Sequence, residues 1–210
     1  MREILPGLLH WTTFHDGIAA RVSFYYLEPA GALIDARVPE GGLDAFAGRE
    51  RPQQAILTTG LHTRHAREFA DAFGCLIRVP REALTRLGGS LDVETYGAGD
   101  EVAPGVTAIE IGKLAPDEYA LHVAVGEGAI VFADGLVHYA GTLGFVPDGL
   151  LGDDPAKVKA GLKDAFRGVL MRGFDHLLFA HGDPLIGGGK AALRDFLEQP
   201  VGYENYGAVI

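Results

Sequence analysis

Leu57-Thr58-Thr59-Gly60-Leu61-His62-Thr63-Arg64-His65 reads as the end of a buried strand running directly into a helix, with histidines clustered at the junction. The run before it, Gln54-Ala55-Ile56-Leu57-Thr58, is short and apolar and suits a sheet interior. Beyond it, Ala66, Phe69, Ala70 and Phe73 recur at helical spacing, and Gly74 is placed to cap the helix C-terminus. Cys75-Leu76-Ile77-Arg78-Val79 returns to strand and is stopped by Pro80. Strand, helix, strand predicts a parallel pair with a right-handed crossover. Ligands and reactive groups gather at such strand ends, where loops vary without disturbing the core.

The rest of the chain repeats this style. Arg21-Val22-Ser23-Phe24-Tyr25-Tyr26-Leu27 carries the β-branched and aromatic residues of a strand, and Gly31-Ala32-Leu33-Ile34-Asp35 follows the turn Glu28-Pro29-Ala30. Val106–Ile111, Tyr119–Val123 and Ala129–Ala133 read as consecutive strands, with a hairpin at Gly126-Glu127-Gly128. Asp154-Pro155 pairs a capping residue with proline at the first helical position. Val158, Leu162, Ala165, Phe166, Val169 and Leu170 give that helix one apolar face, with Gly173 as its expected end. His176–Ala180 is a short buried strand, and Leu193, Phe196 and Leu197 mark a last helix after Gly187-Gly188-Gly189. Two strand-rich halves, each followed by helices, predict a single domain over residues 1–210 with two sheets inside and helices outside.

Composition narrows the function classes. Hydrophobic residues make up 48% of the 210, enough for a continuous core. Eighteen basic against 28 acidic residues give a formal charge of −10, which repels phosphate backbones and argues against a nucleic-acid partner. Cys75 is the sole cysteine, which excludes an intrachain disulfide and a thiolate zinc site; it reads as a small buried hydrophobe. No run approaches the ~18 apolar residues of a membrane span, and Met1–His10 has no charged-then-apolar leader pattern. A cytoplasmic protein with a small-molecule ligand or substrate is the expectation. Phe24, Tyr25 and Tyr26, with Tyr203 and Tyr206, would suit either the core or a homo-oligomer interface.

Three apolar strands end in polar, reactive groups: the opening stretch, Ala133-Asp134-Gly135, and Phe179-Ala180-His181-Gly182-Asp183-Pro184. A carboxylate and histidines at strand ends are the ingredients of a zinc or iron site. In order and spacing these segments resemble the metallo-β-lactamase superfamily, particularly its smaller glyoxalase-II-like hydrolases, from about Phe24 to Leu197. Ile34-Asp35 matches that family's early strand ending in Ile-Asp. Asp134 falls at its bridging aspartate, and His181 at its last ligand histidine. The resemblance implies a four-layer αβ/βα sandwich and, in an intact member, a two-metal hydrolytic centre.

The ligand positions depart from that pattern. Where the family has His-x-His-x-Asp-His, this chain has Thr59, Leu61, Thr63 and Arg64; where it has His-Thr-Pro-Gly, this chain has Leu114-Ala115-Pro116-Asp117. Of seven ligand positions, Asp134 and His181 remain. The leading expectation is therefore a degenerate site without the metal pair, in a small-molecule binding or regulatory protein, with Arg64 supplying Asp134's counter-charge through bidentate hydrogen bonds. A second reading is a hydrolase of an ester, thioester or lactone with one Zn, Fe or Mn ion on His62 or His65 together with Asp134 and His181. A third is metal-free acid–base chemistry by His65, His181 and Asp134. Bland readings stand beside these. His62 and His65 are in phase with the buried face of the following helix, and Asp134 before Gly135 suits a turn. His122 suits a satisfied sheet position, His138 lies near enough to reach the same cleft, and Asp183 would orient His181.

Overall fold

The computed structural model describes residues 1–200, so Tyr203 and Tyr206 lie outside the described residues. In chain order the elements are β1 (Arg2–Leu5), β2 (Leu8–His15), β3 (Ala20–Leu27), β4 (Ala32–Ile34), β5 (Gln54–Ile56), α1 (Ala66–Phe73), β6 (Leu76–Pro80), α2 (Leu84–Leu87) and β7 (Glu94–Tyr96). The second half has β8 (Glu101–Ala103), β9 (Val106–Glu110), β10 (Tyr119–Val123), β11 (Ala129–Phe132), β12 (Val137–Tyr139), β13 (Thr142–Gly144), α3 (Pro155–Val169), β14 (His176–Phe179) and α4 (Gly189–Glu198).

Strands β1 to β7 form one sheet in sequence order, and a second sheet runs β14-β11-β10-β9-β8. The alternation of side chains along each strand builds the layers. On β3, Tyr25 and Leu27 face the other sheet, while Phe24 and Tyr26 face α1. On β11, Ala129 and Val131 face inward, while Ile130 and Phe132 pack against α3 and α4. One apolar core therefore lies between the sheets, and a further one lies under each helical layer, with Phe69 at 0% exposure on one side and Phe166 at 0% on the other. Burying each such ring contributes roughly 1.5–3 kcal/mol. The result is the αβ/βα sandwich.

Local signals act as expected in several places. β5 and β6 pair in parallel across α1, and Gly74 caps α1 in the left-handed conformation at φ +69°. The Asp154 side chain accepts the backbone N–H of Lys157 at 3.0 Å, with proline at the head of α3. Two boundaries differ from the sequence expectation. α3 ends at Val169 rather than Gly173: Leu170 is its right-handed C-cap, and Met171 and Arg172 then bond back only three residues, to Gly168 O and Val169 O, which tightens the chain out of the α-helix. Pro80 is the last residue of β6 rather than the one that stops it; it sits beyond the end of the pairing with β5 at Arg78 and faces only Tyr96 of β7, so its missing N–H interrupts no ladder on the β5 side. Cys75 is a buried free thiol just ahead of β6. No helix among the described residues is long and apolar enough to cross a membrane.

Strands β4, β5, β11 and β14 end at one rim of the sandwich. Asp35, Thr58, Asp134 and His181 follow them within two residues.

Candidate functional site

β4 runs into Asp35, a buried residue held at φ +48°. Few non-glycine residues adopt that conformation without compensation, and here two hydrogen bonds fix the carboxylate. The Thr58 backbone N–H donates to Asp35 Oδ1 at 2.8 Å, and the Thr58 hydroxyl donates to Oδ2 at 2.6 Å. The next residues, Gly60–His62, turn as a 3-10 helix and point the His62 ring into the protein. Its Nδ1 lies 3.0 Å from Asp35 Oδ2, and its Nε2 lies 3.1 Å from Asp134 Oδ1. From the other side, His181 Nε2 donates to the same Asp134 Oδ1 at 3.0 Å.

The protonation state follows from this geometry. A carboxylate only accepts, so a ring with a carboxylate on each nitrogen must carry two protons. Burial alone would lower the His62 pKa, but the charges of Asp134 and Asp35 outweigh it and raise the value to about 9. Burial likewise pushes both aspartates upward, yet the His62 charge and the imidazole hydrogen bonds hold Asp134 well below the usual carboxylate range and lower Asp35 too. His62 is an imidazolium clamped between two carboxylates.

The Asp134 loop has its own support. Gly135 N–H donates to Glu118 Oε1 at 2.6 Å, and Glu118 is buried with Oε2 lacking any hydrogen-bond partner. Burial, reinforced by the neighbouring Asp134 charge, raises the Glu118 pKa to about 7. The His181 loop is pinned from both flanks. Ser23 Oγ donates to Gly182 O at 2.9 Å, and His138 Nδ1 donates to Asp183 O at 2.7 Å.

Of the residues anticipated for the site, the structure brings together His62, Asp134 and His181. It places two others differently. His65 turns away: its Nδ1 accepts the Val38 backbone N–H at 3.1 Å beside Arg37, ahead of α1. It is outside the cluster as a metal ligand and as an acid–base group, because the chain has already turned past the strand end. Arg64 makes no hydrogen bond to Asp134. Its guanidinium lies 5.1 Å over the Phe24 ring, its Nε and Nη1 are buried without partners, and its backbone sits at φ +40°. Burial lowers its pKa, opposed by the charges of Asp35 and Asp134. Its field reaches both carboxylates, but the imidazoles occupy the hydrogen-bonding positions expected for it. Asp183 meets His138 through its main chain, not His181 through its carboxylate. His122 donates to Gly173 O at 2.8 Å, a satisfied sheet histidine.

Asp35, Thr58, Asp117 and Glu118 escaped the sequence reading as site residues. Asp35 carried a signal, as a charged residue closing an apolar strand.

A two-metal centre does not fit these residues. Thr59 donates its hydroxyl to Asp117 at 3.2 Å, Leu61 is 56% exposed, Arg64 brings a cation, and Leu114 packs in an apolar cluster. One ion is a different case. The ligand atoms of His62, Asp134 and His181 all lie within 4.8 Å of one another, and tetrahedral donors at about 2.0 Å from zinc stand about 3.3 Å apart. Those three residues would hold the ion, and Asp35 would orient His62 from behind.

No family model matches the sequence, and no curated protein does. Solved structures do match. A metallo-β-lactamase family protein from Thermus thermophilus superposes with a TM-score of 0.66 at 14% identity, over 93% of this chain and 79% of that one. An archaeal metallo-β-lactamase superfamily protein from Sulfolobus tokodaii gives 0.62 at 13% identity, over 97% and 90%. A Cronobacter sakazakii metallo-β-lactamase with a HARLDQ motif gives 0.57 at 17% identity, over 85% and 76%. The chain has the metallo-β-lactamase fold.

Proposed function

We propose that this protein binds a small polar molecule at the strand-end rim, as a ligand-binding or regulatory member of its fold, without a resident metal pair. The carrying observation is that Asp134 Oδ1 already receives His62 and His181, while Asp35 takes the other His62 nitrogen. Two carboxylates face an imidazolium with a guanidinium nearby, so the charges balance without a divalent ion. Arg64 supports the reading. A cation at a former ligand position raises the energy of a metal beside it.

A second reading has a specific observation behind it. The three donors of His62, Asp134 and His181 are close enough for one ion, with a carboxylate-backed histidine among them. Such an ion would supply Lewis-acid activation of water for hydrolysis of an ester, thioester or lactone.

Elemental analysis of the full chain, expressed with zinc, iron and manganese available, separates the two. The proposal expects far less than one ion per chain, and a thermal-shift screen of small polar metabolites whose hits disappear in Asp134→Asn. Near-stoichiometric metal that is lost in His181→Ala would overturn the metal-free reading.

A further inference from the structure

β10 begins directly after two adjacent buried carboxylates, Asp117 and Glu118, each 3% exposed. Neither makes the solvated contacts of an ordinary turn acid. Asp117 Oδ2 accepts the Gly60 backbone N–H at 2.8 Å and the Thr59 hydroxyl at 3.2 Å, with Arg86 Nε 3.5 Å away. Glu118 Oε1 accepts the Gly135 N–H at 2.6 Å. Gly60 opens the turn whose last residue is His62, and Gly135 follows Asp134.

The Gly135 contact needs glycine at the donor, and the Gly60 contact favours it. A Cβ on Gly60 would stand 3.0 Å from Asp117 Oδ2. On Gly135 it would stand 2.7 Å from Glu118 Oε1 and 2.9 Å from Leu162 Cδ2. Neither glycine is at positive φ, so close approach, not backbone conformation, explains the residue type. A charged acceptor on a buried N–H is also about twice as strong as a neutral one. One dipeptide thus reaches both sides of the cluster from a single strand start.

We infer that Asp117 and Glu118 are positioning residues: Asp117 sets the turn that carries His62, and Glu118 sets the loop that carries Asp134. Together they fix the distance between the imidazole and the carboxylate across the gap between the two sheets. The inference rests on the cluster being the working site. Its test uses neither ligand nor metal, so the two can fail separately.

The experiment is NMR on the ¹⁵N-labelled full chain. At pH 8, above the Glu118 pKa of about 7, the Gly60 and Gly135 amide protons of the wild type resonate downfield, as donors to charged acceptors. Asp117→Asn moves the Gly60 amide upfield and leaves Gly135 in place, and Glu118→Gln does the reverse. Alanine variants probe the positioning. Asp117→Ala shifts the His62 ring signals and spares those of His181. Glu118→Ala shifts both, because Asp134 itself moves, and the Asn and Gln variants return the rings close to their wild-type positions. A merely structural role would lower the melting temperature and leave the rings of the folded protein unchanged, and that result would overturn the inference. Should the alanine variants fail to fold, the amides decide: glycine amides unmoved by Asn and Gln would overturn it equally.

Discussion

His62 is the residue on which the cluster depends, because its ring stands between buried Asp35 and part-buried Asp134 and offsets the charge of both. Removing one partner of a buried ionic group typically costs 3–5 kcal/mol, through the charge left behind. His62→Ala is expected to lose about that much in urea unfolding. His65→Ala, which removes part-buried hydrogen bonds from the Val38 N–H and Arg37 Nε, should cost roughly 1 kcal/mol. Similar losses for both would contradict the placement of these rings. The pH dependence has a definite sign. The folded His62 pKa of about 9 lies above its unfolded 6.5, so its contribution is full below about 6.5 and fades as pH rises through about 9. The shift corresponds to about 3 kcal/mol. Urea midpoints should therefore show an alkaline decline across that window, which His62→Gln removes. At this scale the sequence reading was partial. Asp134 and His181 stood out from strand ends and family positions, and His62 from its neighbourhood. The choice between His62 and His65 was not legible, since it depends on how a three-residue 3-10 turn aims its last side chain. The partner of Asp134 was misassigned to Arg64, whose charge was visible in the sequence while its stacking on Phe24 was not.

Among the elements, the loop after β14 is the tightest. Gly182 sits at φ +100°, and a Cβ there would lie 1.9 Å from the His138 backbone oxygen. Gly182→Ala must displace the strand β12 or the loop that carries His181, with strain and overpacking each costing roughly 1–3 kcal/mol. We expect thermal unfolding to fall sharply, or soluble protein to be lost. Gly149→Ala is the control. Nothing lies within 4 Å of a Cβ there, and its backbone is not in the left-handed region, so the change should stay within about 0.5 kcal/mol. Equal melting temperatures for the two variants would show that the loop tolerates what its geometry forbids. Long, periodic elements were readable: α1 from Ala66 to Phe73, the capped start of α3, and the hairpin before β11. Strands β1 and β2 were not read, nor were the three-residue β7, β8, β12 and β13, which lack the apolar runs that marked β4 and β5. Asp117 and Glu118 were missed for a related reason. Their donors lie 57 and 17 residues away, and acids before a strand look like turn residues.

At the scale of the whole molecule, the core between the sheets draws Leu8, Tyr25 and Ile56 from the first half, and Val106, Val131 and Leu178 from the second. Tyr25 also joins them directly, donating its hydroxyl to Phe179 O at 2.9 Å and accepting the Phe179 N–H at 3.0 Å. Halves that share one core should unfold together. Urea unfolding followed by tryptophan fluorescence, which reports Trp11, and by far-UV circular dichroism should give coincident single transitions. Two separated transitions would mean that the halves are independent units. The layer order was legible because apolar runs and helical faces are properties of composition and spacing. The character of the rim was not, since it arises where four distant strand ends meet and their charges settle against one another. The central claim is that His62 is an imidazolium held between Asp35 and Asp134 rather than a ligand for a metal. Long-range ¹H–¹⁵N NMR of the His62 ring at pH 7, on protein as purified, measures this directly. The account predicts that both ring nitrogens carry protons. A His62 Nε2 without a proton, in protein that retains a stoichiometric metal ion, would contradict it.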